Sequence, residues 1–385
     1  MKYYDTVKFM KEYIQCKRCV MDNSSDDTIT FDENGFCNYC NEALSIMDKR
    51  YFPNEEGKKR LQEMLSEIKA YGKNKKYDCM MGISGGLDSS YLAYLGYTWG
   101  LRILAVHVDD GYDTEISKRN IKKLVDATHI DLITIKPDTE QYDALTKAYM
   151  KAGVPNLAVP QDNIMWATLY KYAKDNKIKY ELSGYNFALE STLQRGNTHS
   201  AYDLVNLKDI HKKFGTKKIN KLPLISFFRV EYDKRILGLK TFTPLDYVDY
   251  NRDKAFKELY DFCGFEYYGR KHLENILTAF VQLVWFPKKF GVDKRTSHLS
   301  SMIISGQMTR DEAINELKLP IIENNEQMEE YISLIKKRLD LSNAEYEEIM
   351  SAPGKQHTEY KTDKLFPLVF NSLIYLKKIV TKNSK

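Results

Sequence analysis

The run Ser84-Gly85-Gly86-Leu87-Asp88-Ser89-Ser90 places two glycines, three hydroxyls and a carboxylate within seven residues. Such a loop can cradle phosphate. Glycines let an anion approach the backbone, successive N–H groups converge on it, and a following helix adds the positive end of its dipole. The plainer alternative is a glycine-rich turn in which Asp88 or Ser89 caps a helix. No lysine follows Gly86, so this is not the Gly-x-x-x-x-Gly-Lys-Ser/Thr phosphate loop. Cations for a departing pyrophosphate must then come from elsewhere, and Lys294 and Arg295, delivered by the turn at Gly291, are the candidates. A second constellation is Cys16-x2-Cys19 and Cys37-x2-Cys40, with 17 residues between the pairs. Four thiolates at that spacing can close a tetrahedral zinc shell with no open position, a structural rather than catalytic site. Two disulfides or an iron–sulfur cluster are the rivals. Neither Cys79, inside an apolar run, nor Cys263 reads as a nucleophile.

The elements that must hold these groups follow from periodicity. Tyr77–Ile83, Arg102–Val108, Leu132–Ile135 and Lys179–Ser183 are short apolar runs predicted as strands; Ser89–Trp99, Glu115–Ala127 and Asp162–Asn176 between them are predicted helices. That alternation implies an α/β doubly wound parallel sheet covered on both faces. Ligands of such sheets sit beyond the carboxyl ends of the strands. The Ser84 loop, His107-Val108-Asp109-Asp110 and Ser183-Gly184-Tyr185-Asn186 all fall there. The expected organisation is a zinc ribbon over 1–55, a linker helix over 56–76, a nucleotide domain over 77–200 and a mostly helical region over 201–385. In the last, Lys271–Gln282 is predicted as one helix, with Glu274, Asn275, Thr278 and Gln282 on an uncharged-polar stripe suited to a binding wall. The basic stretch His211–Lys218 could read a carboxylate or a diphosphate, and Leu365–Val380 is expected to be a docking helix.

Composition narrows the function classes. The chain has 385 residues, 43% hydrophobic and 29% charged, with a net charge of +5 from 58 basic and 53 acidic side chains. That is enough chain for two or three domains. So small a basic excess argues against a dedicated nucleic-acid binder. No run approaches the ~18 apolar residues of a membrane span, and Met1–Asp5 shows no apolar signal core. A cytoplasmic protein without membrane partners is expected.

The Ser84 loop resembles that of the N-type ATP pyrophosphatases, which include NAD synthetase, GMP synthetase, asparagine synthetase and tRNA thiolases. The resemblance implies the adenine nucleotide alpha hydrolase-like fold. It also implies ATP split between its α and β phosphates, with Mg²⁺ present and AMP placed on a substrate oxygen. Carried onto this sequence, it makes Ser84, Gly85, Gly86, Asp88, Ser89 and Gly184 nucleotide-binding residues and puts His107, Val108 and Asp109 beside adenine. Asp88 and Glu190 become magnesium ligands, Glu190 lying six residues after Gly184 as in NAD synthetase; Asn186 replaces the acidic residue often found there. Ser84, Asp88, Ser89, Lys294 and Arg295 are the implied catalytic groups. Over residues 12 to 320 the chain further resembles the N-acetyl sugar amidotransferase family. The residues that carry this are Cys16-Lys17-Arg18-Cys19, Asn34–Cys40, Lys271-His272, Phe290–Arg295 and His298-Leu299-Ser300-Ser301 through Arg310. It implies a sugar substrate with an N-acetyl group, adenylated on its oxygen and converted by ammonia to an acetamidino group. Asn186, His272, Glu274, Thr278 and Gln282 are the candidate substrate contacts. With no cysteine suited to a glutaminase, ammonia is expected from a separate glutaminase subunit, with an ammonia-channelling partner as a further candidate.

Overall fold

The computed structural model describes residues 12–364; the expected docking helix at 365–380 and the start of the chain lie outside them. Two helices lead in, α1 (Asn38–Arg50) and α2 (Glu55–Gly72). The alternating region follows as β1 (Cys79–Gly82), α3 (Leu87–Thr98), β2 (Ile103–Val108), α4 (Glu115–Thr128), β3 (Asp131–Ile135), α5 (Thr139–Ala152), α6 (Val159–Asp175) and β4 (Tyr180–Leu182). Beyond it come the short α7 (Phe187–Glu190), α8 (Leu204–Phe214), α9 (Phe227–Arg235), β5 (Lys240–Phe242) and α10 (Arg252–Cys263). The remainder is helical: α11 (Ile276–Phe280), a π-helical stretch over Val281–Phe290, α12 (Arg295–Ile304), α13 (Arg310–Lys318), α14 (Asn325–Arg338) and α15 (Asn343–Ser351).

The sheet is parallel throughout, in the order β3-β2-β1-β4-β5. It is covered on both faces, as the near-continuous apolar strands require. Cys79, Met81, Ile103 and Ala105 point to the face packed by Leu92 and Ala93 of α3 and Leu124 of α4. Met80, Leu104 and Val106 point to the other face, against Leu169, Tyr170 and Ala173 of α6. The connections after β1 and β4 leave in opposite directions along the sheet, which opens a crevice between their carboxyl ends. Ser84 and Gly184 stand at that crevice.

The sheet outruns its expected boundary at residue 200. Strand β5 pairs with β4 through Tyr180↔Lys240, Glu181↔Thr241 and Leu182↔Phe242. Its three residues, two of them exposed, carry no apolar run for periodicity to detect. Helix α5 was also missing from the sequence reading. Nor is Lys271–Gln282 one helix. Asn275 caps α11 by accepting from Thr278 N, and residues 273–276 are instead tied to 112–114 by the Asp113↔Asn275 bridge and by Ile276 N donating to Tyr112 O. The π-helical stretch then shifts the phase of everything after Phe280.

Candidate functional site

The phosphate loop is built as its residue types demand. Gly85 has φ +76, and a Cβ there would collide with the Ser117 carbonyl oxygen. Gly86 has no room either, since its Cβ would lie 2.5 Å from Glu274 Oε1. Gly86, not Asp88 or Ser89, is the N-cap of α3, and no side chain caps that end. The loop's own donors are met by hydroxyls: Gly86 N donates to Ser84 Oγ (3.2 Å), Ser84 N to Ser89 Oγ (3.3 Å) and Leu87 N to Tyr268 Oη (2.8 Å).

Asp88 therefore faces away from capping and into a charged cluster. Tyr250 donates its hydroxyl to Asp88 Oδ1, and Lys271 Nζ lies 2.5 Å from Asp88 Oδ2 and 3.1 Å from Glu190 Oε1. His272 Nε2 is 3.6 Å from Glu190 and its Nδ1 3.9 Å from Glu274, while Ser84 Oγ reaches Glu274 Oε1 at 3.3 Å. His272 sits in the left-handed region, φ +64, which costs a non-glycine residue about 1 kcal/mol and turns consecutive side chains toward the same carboxylate. Burial opposes charge throughout the cluster, but the neighbours prevail. Lys271 and His272 hold the Glu190 carboxyl well below its usual range, and Glu190 and Glu274 raise His272 to about 9. Glu274 Oε2 is buried with no hydrogen-bond partner.

Two cavities meet at this cluster. One, of about 400 Å³, runs from the Ser84 loop past Val108, Asp162, Trp166 and Gly184 to Glu274 and Thr278. The other, of about 580 Å³, is walled by Phe256, Phe265, Tyr267, Gln282, Lys294 and His298 among others. Leu87, Asp88, Tyr268 and Lys271 border both. The polar stripe thus divides, Glu274, Asn275 and Thr278 facing the first chamber and Gln282 the second, because the helix changes phase between them. Lys294 borders the second chamber with no acidic partner in contact among the described residues, and burial lowers it to about 8. His298 beside it stacks edge-on against His272 at 5.7 Å, and burial together with the surrounding cations keeps its ring neutral.

Several expected residues do other work. Arg295 donates to Asp293, to Glu316 O (3.0 Å) and to Leu319 O (2.9 Å); it clamps the end of α13 and has no freedom to meet pyrophosphate. Asn186 is fully buried and caps α7, its Oδ1 accepting from Leu189 N at 2.9 Å. Asp109 pairs with Lys136 at 3.1 Å and does not line the first chamber. His107 lines it, but both ring nitrogens are engaged, Nδ1 with Ile83 O (2.9 Å) and Nε2 with Asp113 (3.0 Å). The basic residues near 211–218 border neither chamber; Lys213 pairs with Asp209 and Lys217 with Glu140. Conversely, the sequence reading gave no role to Lys271, Tyr250, Tyr268 or Asp162. Lys271 was placed at the start of the helix predicted over Lys271–Gln282, which begins only at Ile276, and two tyrosines among 28 carried no signal.

The cysteine cluster lies behind the site. Cys16 Sγ–Cys40 Sγ is 3.7 Å and Cys19 Sγ–Cys37 Sγ 3.6 Å, and all four sulfurs lie within 4.8 Å of one another. A tetrahedron with arms of ~2.3 Å has edges of ~3.8 Å, so the spacing suits zinc and excludes disulfides at ~2.05 Å. Backbone N–H groups of Cys19, Cys37 and Cys40 donate to the sulfurs, as thiolates need. The Asn34-Gly35 turn is present, Gly35 at φ +78, but the second knuckle runs into α1 rather than on along a ribbon. Arg310 donates to Cys19 O (3.1 Å) and Cys16 O (3.0 Å), and Val20 N donates to Ser300 Oγ (3.1 Å). The cluster is thereby fastened to α12, whose Ser301 accepts from Thr192 N at 3.0 Å just past Glu190.

Residues 274–374 match the family described as the LPS biosynthesis protein WbpG-like, C-terminal domain. No curated protein matches in sequence. Among solved structures it is similar to NMN synthetase from Francisella tularensis, at 18% identity and TM-score 0.28, over 59% of this chain and 93% of that one. It is also similar to the NH3-dependent NAD synthetase from Campylobacter jejuni solved with nitrate, at 15% identity and TM-score 0.30, over 66% and 97%.

Proposed function

We propose that this chain is an ATP-dependent ligase. It would transfer AMP to the oxygen of an N-acetyl group on a sugar and let ammonia displace that AMP, leaving an acetamidino group. The observation that carries this reading is the pair of chambers sharing one wall at Asp88 and Lys271. Nucleotide in the first chamber and an acceptor in the second would meet there. The second chamber is walled in large part by residues 282–323, which fall inside the WbpG-like domain. The part of the chain with the most specific family match thus shapes the acceptor side.

An amide oxygen is a poor leaving group, and adenylation converts it to a phosphate ester that leaves readily. The Ser84 loop and the adjoining end of α3 would hold the phosphates, and Lys294 supplies a mobile cation on the acceptor side. Asp88, Glu190 and Glu274 offer hard oxygen donors of the kind Mg²⁺ takes, and Glu274 Oε2 is buried without a partner; Asp88 and Glu190, drawn together around Lys271, would hold such an ion. Bound with ATP, such an ion neutralises charge on the phosphates. His298, held neutral by burial and neighbouring cations and without a hydrogen-bond partner among the described residues, can accept a hydrogen bond from incoming ammonia. No protein nucleophile is needed. Four cysteines belong to the cluster, Cys79 is buried in β1, and the Cys263 thiol donates to Leu259 O; burial raises both of those thiols. A separate glutaminase would therefore supply ammonia. The test is incubation with ATP, Mg²⁺, ammonium and nucleotide-linked or free N-acetyl sugars. The expected result is AMP release and a product lighter by about one mass unit, O exchanged for NH. AMP release with tRNA alone, or glutamine-dependent turnover by the isolated chain, refutes it.

A further inference from the structure

Lys271 occupies an unusual position. Its ammonium bridges two carboxylates that reach it from separate elements, Asp88 from the first turn of α3 and Glu190 from α7. The side chain is 12% exposed, between carboxylates 18% and 15% exposed. These are two of the carboxylates that the proposed function offers to a divalent cation. An ammonium and a divalent ion cannot share the gap between one pair of carboxylates, because the two cations repel strongly where water is scarce. Lys271 also borders both chambers, so its head group has open volume on either side to move into. The left-handed backbone at His272 directs the next side chain to Glu190 as well, which keeps the carboxylate charge balanced while no metal is there.

We infer that Lys271 is a placeholder for the divalent cation. It keeps Asp88 and Glu190 together in the empty enzyme and gives them up when nucleotide phosphates draw its ammonium away, so that metal loads with ATP rather than before it. This rests on the proposed function only in assigning the Asp88–Glu190 pair to a cation, and it needs no acceptor sugar to test.

The probe is Mn²⁺, an oxygen-seeking ion that does not compete for the thiolate cluster. Free Mn²⁺ is followed by electron paramagnetic resonance against the full chain, without nucleotide and with a non-cleavable α,β-methylene ATP. Wild type should bind Mn²⁺ weakly alone and strongly with the analogue. Lys271→Met should bind it without nucleotide at least about tenfold more tightly, and Lys271→Arg should behave as wild type. Removing the ammonium leaves two carboxylates facing each other, so K271M should melt at lower temperature, and Mn²⁺ should raise that melting temperature more than it raises that of wild type. Adding Glu190→Gln to K271M should abolish both gains. The placeholder is refuted if K271M shows neither tighter Mn²⁺ binding nor a larger melting shift while wild type still binds Mn²⁺ with the analogue. If no protein binds Mn²⁺ under either condition, the cation assignment itself falls, and the placeholder with it.

Discussion

Asp162 is a carboxylate that the fold holds at a loss. It is half-buried on α6, faces the first chamber with Trp166, and has no hydrogen bond or ion pair to its carboxyl group among the described residues. Burial raises its pKa from 3.8 to about 6, with only His272 working against the rise. That displacement corresponds to about 3 kcal/mol at most; because the carboxylate faces an open chamber, ~1–3 kcal/mol is the working range. The direction follows from proton affinity. The folded carboxyl holds its proton more tightly than the unfolded one. Folding is therefore favoured below pH 3.8, and that advantage is lost as pH rises to about 6. Above that pH the penalty is complete. Asp162→Asn removes the charge and keeps the shape. Urea denaturation at pH 7.5 should show D162N more stable than wild type by ~1–3 kcal/mol, with the gap closing near pH 4. ATP affinity should move the other way, weakening on the order of tenfold, since a carboxylate kept unpaired in a ligand chamber is positioned for a donor group of the ligand. A D162N protein that is less stable at pH 7.5, or equally stable at both pH values, refutes the reasoning.

Three further outcomes are expected. Gly85→Ala must fit a Cβ against a backbone carbonyl at positive φ, so it should lose ~2–4 kcal/mol of stability; Gly86→Ala displaces side-chain ends, Glu274 and Ser84 Oγ, rather than backbone and should lose less, ~1–2 kcal/mol, while impairing ATP turnover more than folding. Equal stability losses in the two would contradict this. Stripping zinc with a chelator, checked by metal analysis, should lower the melting temperature by ~10 °C or more, because the cluster anchors Arg310 and α12; an unchanged melting curve in zinc-free protein would dismiss that role. Arg295→Lys cannot reproduce the fork that clamps Asp293 and the end of α13, so it should cost ~2–4 kcal/mol with turnover per folded molecule preserved. A stable but inactive R295K would restore the catalytic role expected of it.

The elements most legible in the sequence were those whose burial is two-sided or whose chemistry is local. Strands β1 and β2 are apolar on both faces, so they stand out as runs; the cysteine pairs form knuckles of four residues each, and their spacing alone specifies the cluster. The Ser84 loop is local in the same sense: its glycines are required by contacts a few atoms away. Strand β5 was hidden because three residues at a sheet edge, two of them exposed, need no apolar pattern.

The side-chain roles divide along the same line. The sequence determined that a glycine- and serine-rich loop follows β1, that four cysteines gather near the start of the chain, and that polar residues collect at one rim of a parallel sheet. Only the tertiary structure decided which cations serve that loop. Lys294 and Arg295 are neighbours in sequence, yet one borders the second chamber without an acidic partner among the described residues and the other is locked into a carbonyl clamp. Lys271, 183 residues from Asp88, arrives beside it on a turn with no helical period to aim it. The physical reason is range. Backbone conformation and metal geometry are set by atoms a few bonds apart, whereas the partner of a buried charge is whichever opposite charge the packing of distant elements brings within reach.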